Sequence, residues 1–202
     1  MLVTAIMLAL PGNALASGGN YTITGGTSAE QAQVHAALNA SSFDWNLIPQ
    51  SIQVQIESGV DSYASPGLVV LDAGLLDAGE FAWGTVQHEF GHQVDFFLLN
   101  DAKRALLEQT LGGQSWYYTI VGLAHSAYGC ERFASLISWA YWPSPDNALK
   151  PRSSADEAGA MPPAGFRALL TQMIGAPNTV LPALVPKVFA PRVQRHSLRH
   201  HT

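Results

Sequence analysis

The clearest pattern in the chain is the alternation Ser51-Ile-Gln-Val-Gln-Ile-Glu57, which puts Ile52, Val54 and Ile56 on one side of a strand. Leu68-Val-Val-Leu71 predicts a second, continuously apolar strand, and Tyr21-Thr-Ile-Thr24 a short β-like stretch in a segment rich in Gly and Thr. Elsewhere the period is helical. Val34, Ala37 and Leu38 share one face of a helix over about 28–41, capped by Thr27 or Ser28. A longer apolar-periodic segment runs from about Phe81 to Leu99 and opens near Asp77 or the Gly79–Glu80 region, where acids suit the helix dipole. Further helices are predicted over Asp101–Leu111, closed by Gly112-Gly113, and over Ala127–Trp142, interrupted early by Gly129 and stopped by Pro143. A short helix fits Phe166–Ile174, while residues 58–67 and 143–165 read as turn and loop. These strands and helices read as a single α+β domain with a small mixed sheet.

The termini differ from this middle. Met1–Leu10 is apolar, Pro11-Gly-Asn13 breaks it, and Ala14-Leu-Ala16 resembles a cleavage site, so residues 1–16 read as a secretory signal peptide lacking a basic start. That places the mature protein outside the cell. Residues 181–202 are punctuated by proline and then basic, a tail with little fixed structure, and the domain lies between, over 17–180. His196, His200 and His201 belong to that tail, where they are surface-binding groups before they are metal ligands.

Charge narrows the partners. Residues 1–102 hold ten acids and no Lys or Arg, and all ten basic residues follow. A nucleic-acid partner is excluded for the first half, where no basic patch can form. No apolar run reaches the length of a membrane span, and the single cysteine, Cys130, rules out an internal disulfide framework. With 202 residues the chain can bury a core unaided, and a monomer is expected.

The chemistry sits in Gln87-His88-Glu89-Phe90-Gly91-His92-Gln93, an H-E-x-x-H sequence inside the long helix. Two histidines four apart share a helix face about 6 Å from each other, and both can reach one Zn²⁺. Glu89 beside them can take a proton from water that the metal acidifies. The alternative is two histidines serving only as helix residues. Apolar flanks (Trp83, Val86, Phe90, Val94, Phe96, Phe97) oppose it, because buried imidazoles and a buried carboxylate are costly without partners.

A catalytic zinc takes a third protein ligand. The metzincin pattern is excluded, since positions 95 and 98 are Asp and Leu. Asp95 lies about 10 Å along the helix from His88, too far for a short side chain, and reads as an outer or surface group. Glu131, on the next strongly apolar helix, is the preferred ligand over Glu108 on a more polar helix and Asp146, Asp156 and Glu157 in the loop. The alternative for Glu131 is a surface pair with Arg132 or Lys103. Cys130 reads as a small buried hydrophobe.

His88-Glu-Phe-Gly-His92 with Val94-Asp95, followed by Glu131-Arg-Phe-Ala134, resembles the gluzincin metallopeptidases, and among them the lethal-factor-like and Pro-Pro endopeptidase group. The likeness covers about residues 50–142. It implies a zincin-like domain, zinc held by His88, His92 and Glu131, Glu89 as general base, and a peptide or protein substrate. It also implies an edge strand beside the metal, for which Leu68–Leu71 fits, with an ordinary interior strand as the alternative. One departure is notable. The group carries a tyrosine seven residues before the ligand glutamate, and position 124 here is Ala. His125 then becomes the oxyanion donor, a role histidine plays in thermolysin-like enzymes, with a cap or loop residue as the alternative; Tyr128 reads as packing.

The missing tyrosine sustains a rival reading, a zincin-fold binding protein that keeps zinc without turnover. Another is a module in which the metal serves folding alone.

Overall fold

The computed structural model describes residues 19–175. The expected signal segment and the basic tail with its three histidines lie outside them. Among the described residues, four strands form one sheet: β1 Tyr21–Gly25, β2 Ile52–Glu57, β3 Tyr63–Ser65 and β4 Leu68–Asp72. Their order is β1-β2-β4-β3, with β1, β2 and β4 parallel and β3 antiparallel to β4. The sheet is therefore mixed and the fold α+β, as the patterning predicts.

Helix α1, Ser28–Ala40, connects the parallel pair β1 and β2. It opens on a capping box: the Thr27 hydroxyl accepts from the Glu30 amide at 3.3 Å, and the Glu30 carboxylate accepts from the Thr27 amide at 2.6 Å. A short helix α2, Ala73–Leu76, is capped by Asp72 and leads into α3, Glu80–Leu98. Helix α4, Asp101–Leu111, ends on Gly112 in the left-handed conformation, φ 76°. Helices α5, Gly129–Tyr141, and α6, Pro163–Ile174, complete the domain.

Helix α3 runs through the middle, packed on α1, on α5 and on the sheet. Val34, Val54, Leu71, Val86, Phe90, Phe133 and Ile137 form the centre of one continuous apolar core. That burial is the main driving force holding α3 in place.

Two sequence expectations change here. Leu68–Leu71 is not an edge strand: β4 lies between β2 and β3, consistent with its burial at Val69, Val70 and Leu71. The edge on that side of the sheet is β3, hidden in what read as a turn region, because three residues ahead of Pro66-Gly67 are too few to show a period. Helix α5 begins at Gly129 rather than at Ala127. A Cβ on Gly129 would come within 2.6 Å of the Trp116 ring, so the chain turns there and packs the indole against its backbone.

The β3–β4 hairpin is tied to α3 by one side chain. Fully buried Gln93 accepts from the Gly67 amide at 2.9 Å and donates to the Ser65 and Leu68 carbonyls at 3.0 and 3.1 Å. Three main-chain groups of the turn are satisfied from inside the domain.

Candidate metal centre

The α3 face turned toward α5 carries His88, Gly91 and His92, at the helical spacing of three and four residues. Gly91 sets the distance between the helices. A Cβ there would stand 2.9 Å from the Ala134 Cα, so only glycine lets the two backbones approach this closely. Ala134 is one turn from Glu131, and the same contact brings Glu131 over the histidines.

Glu131 sits in the first turn of α5, a helix start without a side-chain cap. The Ser115 and Trp116 carbonyls accept from the Gly129 and Cys130 amides at 2.8 and 3.1 Å instead. Segment 114–116 thus fixes the helix end that carries the carboxylate.

The donor atoms converge. His88 Nε2 and His92 Nε2 are 3.1 Å apart, and Glu131 Oε2 lies 3.1 and 3.4 Å from them. Ligands at roughly 2.0–2.1 Å from a tetrahedral ion stand about 3.3 Å apart. The three spacings fit the edges of such a tetrahedron. Ligand atoms of His88, Glu89 and His92 also lie within 4.8 Å of one another, a buried group that could hold a metal ion.

The chemistry of the set agrees with its geometry. Ser135 Oγ donates its one proton to Glu157 Oε2 at 2.8 Å, so at 3.0 Å it accepts from His88 Nδ1–H. With Nδ1–H so committed, His88 turns its Nε2 toward Glu131 Oε2, the edge that would coordinate a cation held between them. The other Glu131 oxygen, Oε1, accepts from the Tyr118 hydroxyl at 2.9 Å and from Cys130 Sγ at 3.4 Å.

Without a cation, the charges sort themselves among the protein groups. Burial opposes ionisation of Glu131, but hydrogen bonds from His88 and His92 outweigh it and hold its carboxyl well below the usual range. Burial likewise opposes protonation of His88, yet the bond to Glu131 and the neighbouring carboxylates raise its pKa. Glu89 goes the other way: burial pushes its carboxyl up, with the two histidines only partly compensating.

His125 is brought to the site as expected. It occupies a 3₁₀ turn, His125–Ala127, with its side chain 58% exposed. Its Nε2 lies 3.3 Å from Glu131 Oε2, and its Nδ1 bonds Glu157 Oε1 at 2.6 Å. The Glu157 bond raises its pKa against an opposing effect of burial.

Other assignments are sharpened. Asp95 is neither an outer group of the histidines nor a surface one. It is fully buried, accepting from Arg104 Nε at 2.8 Å and Trp116 Nε1 at 3.0 Å, and so anchors α4 and the segment before Tyr118. Arg132 bonds the Ser126 and Leu111 carbonyls and Lys103 the Leu98 carbonyl, so neither makes a surface pair with Glu131, which is 3% exposed. Tyr128 packs on Tyr118, ring centres 4.1 Å apart, with its hydroxyl on the Ile120 carbonyl. Cys130 is buried.

Tyr118 was missed by sequence reasoning, and Glu157 was weighed only as a rival third ligand. Both lie in irregular segments where no periodicity marks a residue as inward. The one available signal was Tyr117-Tyr118 near the ligand helix.

The group opens into a cleft of about 320 Å³, bounded by Ser62, Tyr63 and Ala64 on one side and Tyr117, Tyr118 and His125 on the other. A larger hollow, about 790 Å³, lies at the N-terminal end of α3 between Phe81 and Arg152 and holds none of these histidines. No helix among the described residues is long and apolar enough to cross a membrane. Comparison of the chain with known protein families, with curated proteins and with solved structures finds no match.

Proposed function

We propose that the chain is a zinc-dependent endopeptidase, with zinc held by His88, His92 and Glu131. The observation that carries the reading is the set of tetrahedral-edge spacings among Nε2, Nε2 and Oε2, with Glu89 on the same helix and an open cleft above. A three-ligand site with room for water suits catalysis rather than structure. Two soft-borderline nitrogens and one carboxylate suit zinc better than calcium or magnesium, which favour all-oxygen sites.

Zinc at such a site supplies a Lewis acid that polarises a carbonyl and acidifies water. The chain does the rest. Glu89 takes a proton from the attacking water on its carboxylate and hands it to the amine nitrogen as the C–N bond breaks. Its raised pKa makes the carboxylate a stronger base for the first of these transfers. His125 presents Nε2 to the cleft, because Glu157 takes its Nδ1–H; the Glu157 bond also favours the doubly protonated ring, whose Nε2–H can donate to the oxyanion. Tyr118 is the weaker donor candidate, since its one proton is committed to Glu131. An extended peptide pairs with the free edge of β3, the strand that borders the cleft. Secretion is part of the same proposal and rests on the Met1–Ala16 pattern alone.

A second reading has its own support. The 3.3 Å contact of His125 Nε2 with Glu131 Oε2 crowds the open position, as suits a metal-holding protein without turnover. Two measurements separate them. Wild type should bind about one zinc per chain and Glu131→Ala should lose it. Wild type should then cleave a peptide library in a chelator-sensitive way, while zinc binding with no cleavage would leave only the second reading.

A further inference from the structure

The candidate site has two imidazoles with different tasks, His88 toward the metal and His125 toward the cleft, and one carboxylate touches the supports of both. Glu157 stands in the 3₁₀ turn Glu157–Gly159, in the long segment between α5 and α6. Its Oε1 takes the His125 Nδ1 bond at 2.6 Å. Its Oε2 takes the Ser135 hydroxyl at 2.8 Å, and Ser135 takes His88 Nδ1 at 3.0 Å. Both carboxylate oxygens are engaged, and each fixes the Nδ1 edge of a histidine 32 or 69 residues away in the chain.

We propose that Glu157 is a shared positioning residue that holds the Nδ1–H edge of His125 directly and that of His88 through Ser135, so that both rings turn Nε2 inward, and so couples metal binding to the orientation of the cleft histidine. The inference rests on the zinc-peptidase reading, which names the task of each imidazole. The structural argument for sharing is independent of it. A carboxylate is acceptor-only when ionised, and its two oxygens can dictate two donors at once. Ser135 has a single proton, so its donation to Glu157 leaves it only an acceptor for His88. A neutral amide at 157 cannot reproduce this, because one of its two ends is a donor. Orienting partners of this kind are worth about 10–100-fold in metal affinity.

Ser135 sits on α5 one helical turn from Glu131, so the His88 arm is built into the ligand helix itself. The His125 arm reaches across to the turn before that helix. Rotating Glu157 to serve one arm better would draw it from the other.

The experiment uses the full chain and four proteins: wild type, Glu157→Ala, Ser135→Ala and the double variant. Zinc affinity is measured by competition with a chromophoric chelator. The bond at His125 is read in metal-free protein as a low-field imidazole N–H proton resonance, the mark of a short bond to a carboxylate. Glu157→Ala should weaken zinc 10–100-fold and lose the resonance. Ser135→Ala, a small change in the core, should weaken zinc to a similar degree and keep the resonance. The double variant should be no worse for zinc than Glu157→Ala alone, since the two act in one chain of bonds. Zinc affinity within twofold of wild type in both single variants, additive losses in the double, or a resonance surviving Glu157→Ala would each overturn the proposal. Failure of wild type itself to bind zinc overturns the peptidase reading and the metal half of this one, while the resonance still scores the His125 arm.

Discussion

Glu89 and Glu131 are both buried carboxylates, 6% and 3% exposed, yet their surroundings drive them apart. Glu131 faces imidazoles and is held ionised; Glu89 meets mainly desolvation and is pushed toward the neutral form. That divergence suits the two proposed roles, Glu131 as ligand and Glu89 as proton carrier. Glu89→Gln should keep zinc and reduce kcat/KM by at least about 100-fold, measured on any cleaved peptide beside a metal assay. Turnover surviving in Glu89→Gln would remove the mechanism. Glu131→Ala should lose zinc outright in equilibrium dialysis. Acid should weaken zinc in wild type, because protons compete for both Nε2 lone pairs, and affinity should recover as pH rises through neutrality. At this scale, legibility followed distance along the chain. His88, Glu89 and His92 lie within five residues on one helix, so spacing alone declared them. Glu131 was reached through its apolar helix. Tyr118 and Glu157 meet the site only through the tertiary path of irregular segments, and nothing local distinguished them from neighbouring polar residues.

Between elements, the decisive feature is the close crossing of α3 and α5 at Gly91 and Ala134. Gly91→Ala should force the helices apart, cost about 1–3 kcal/mol in urea unfolding, and weaken zinc because Glu131 moves with α5. Unchanged stability would mean that Ala134 yields more readily than a backbone contact should. Asp95 binds a second joint. Removing its carboxylate leaves the Trp116 indole without an acceptor and Arg104 with only Asp101 and the residue-95 carbonyl, and Asp95→Ala should cost about 1–3 kcal/mol by the same measurement. The elements themselves were read well where amphipathic period was long: α1, α3, α4 and β2 appear within one or two residues of their predicted bounds. Helix α2 and strand β3 were not, being four and three residues long, below the length at which a period can repeat.

At the scale of the molecule, the core is continuous from the sheet through α3 to α5 and α6, and the candidate metal-binding group lies at its margin under the cleft. Stability should therefore not depend on zinc alone. Chelation should leave the far-ultraviolet circular dichroism intact and lower the melting temperature by an amount that grows with the free zinc removed. Loss of the secondary-structure signal on chelation would make the metal a folding element and remove the catalytic reading. The mixed α+β arrangement was expected from the patterning, but the strand order was not. Periodicity tells which face of a strand is buried and is silent on which neighbour it pairs with.

Gln93 grips only main-chain atoms of the β3–β4 turn. The wall of the cleft is thus anchored without reference to the side chains it displays. Tyr63, half exposed, is free to diversify between Ser62, whose hydroxyl accepts from the Asp72 amide at 3.1 Å, and Ala64, which packs on the core, while position 93 is not: Gln93→Glu would set a carboxylate against two carbonyls. Repertoire and scaffold are separable at this position, and a library randomised at Tyr63 should stay folded while its members differ in what they accept.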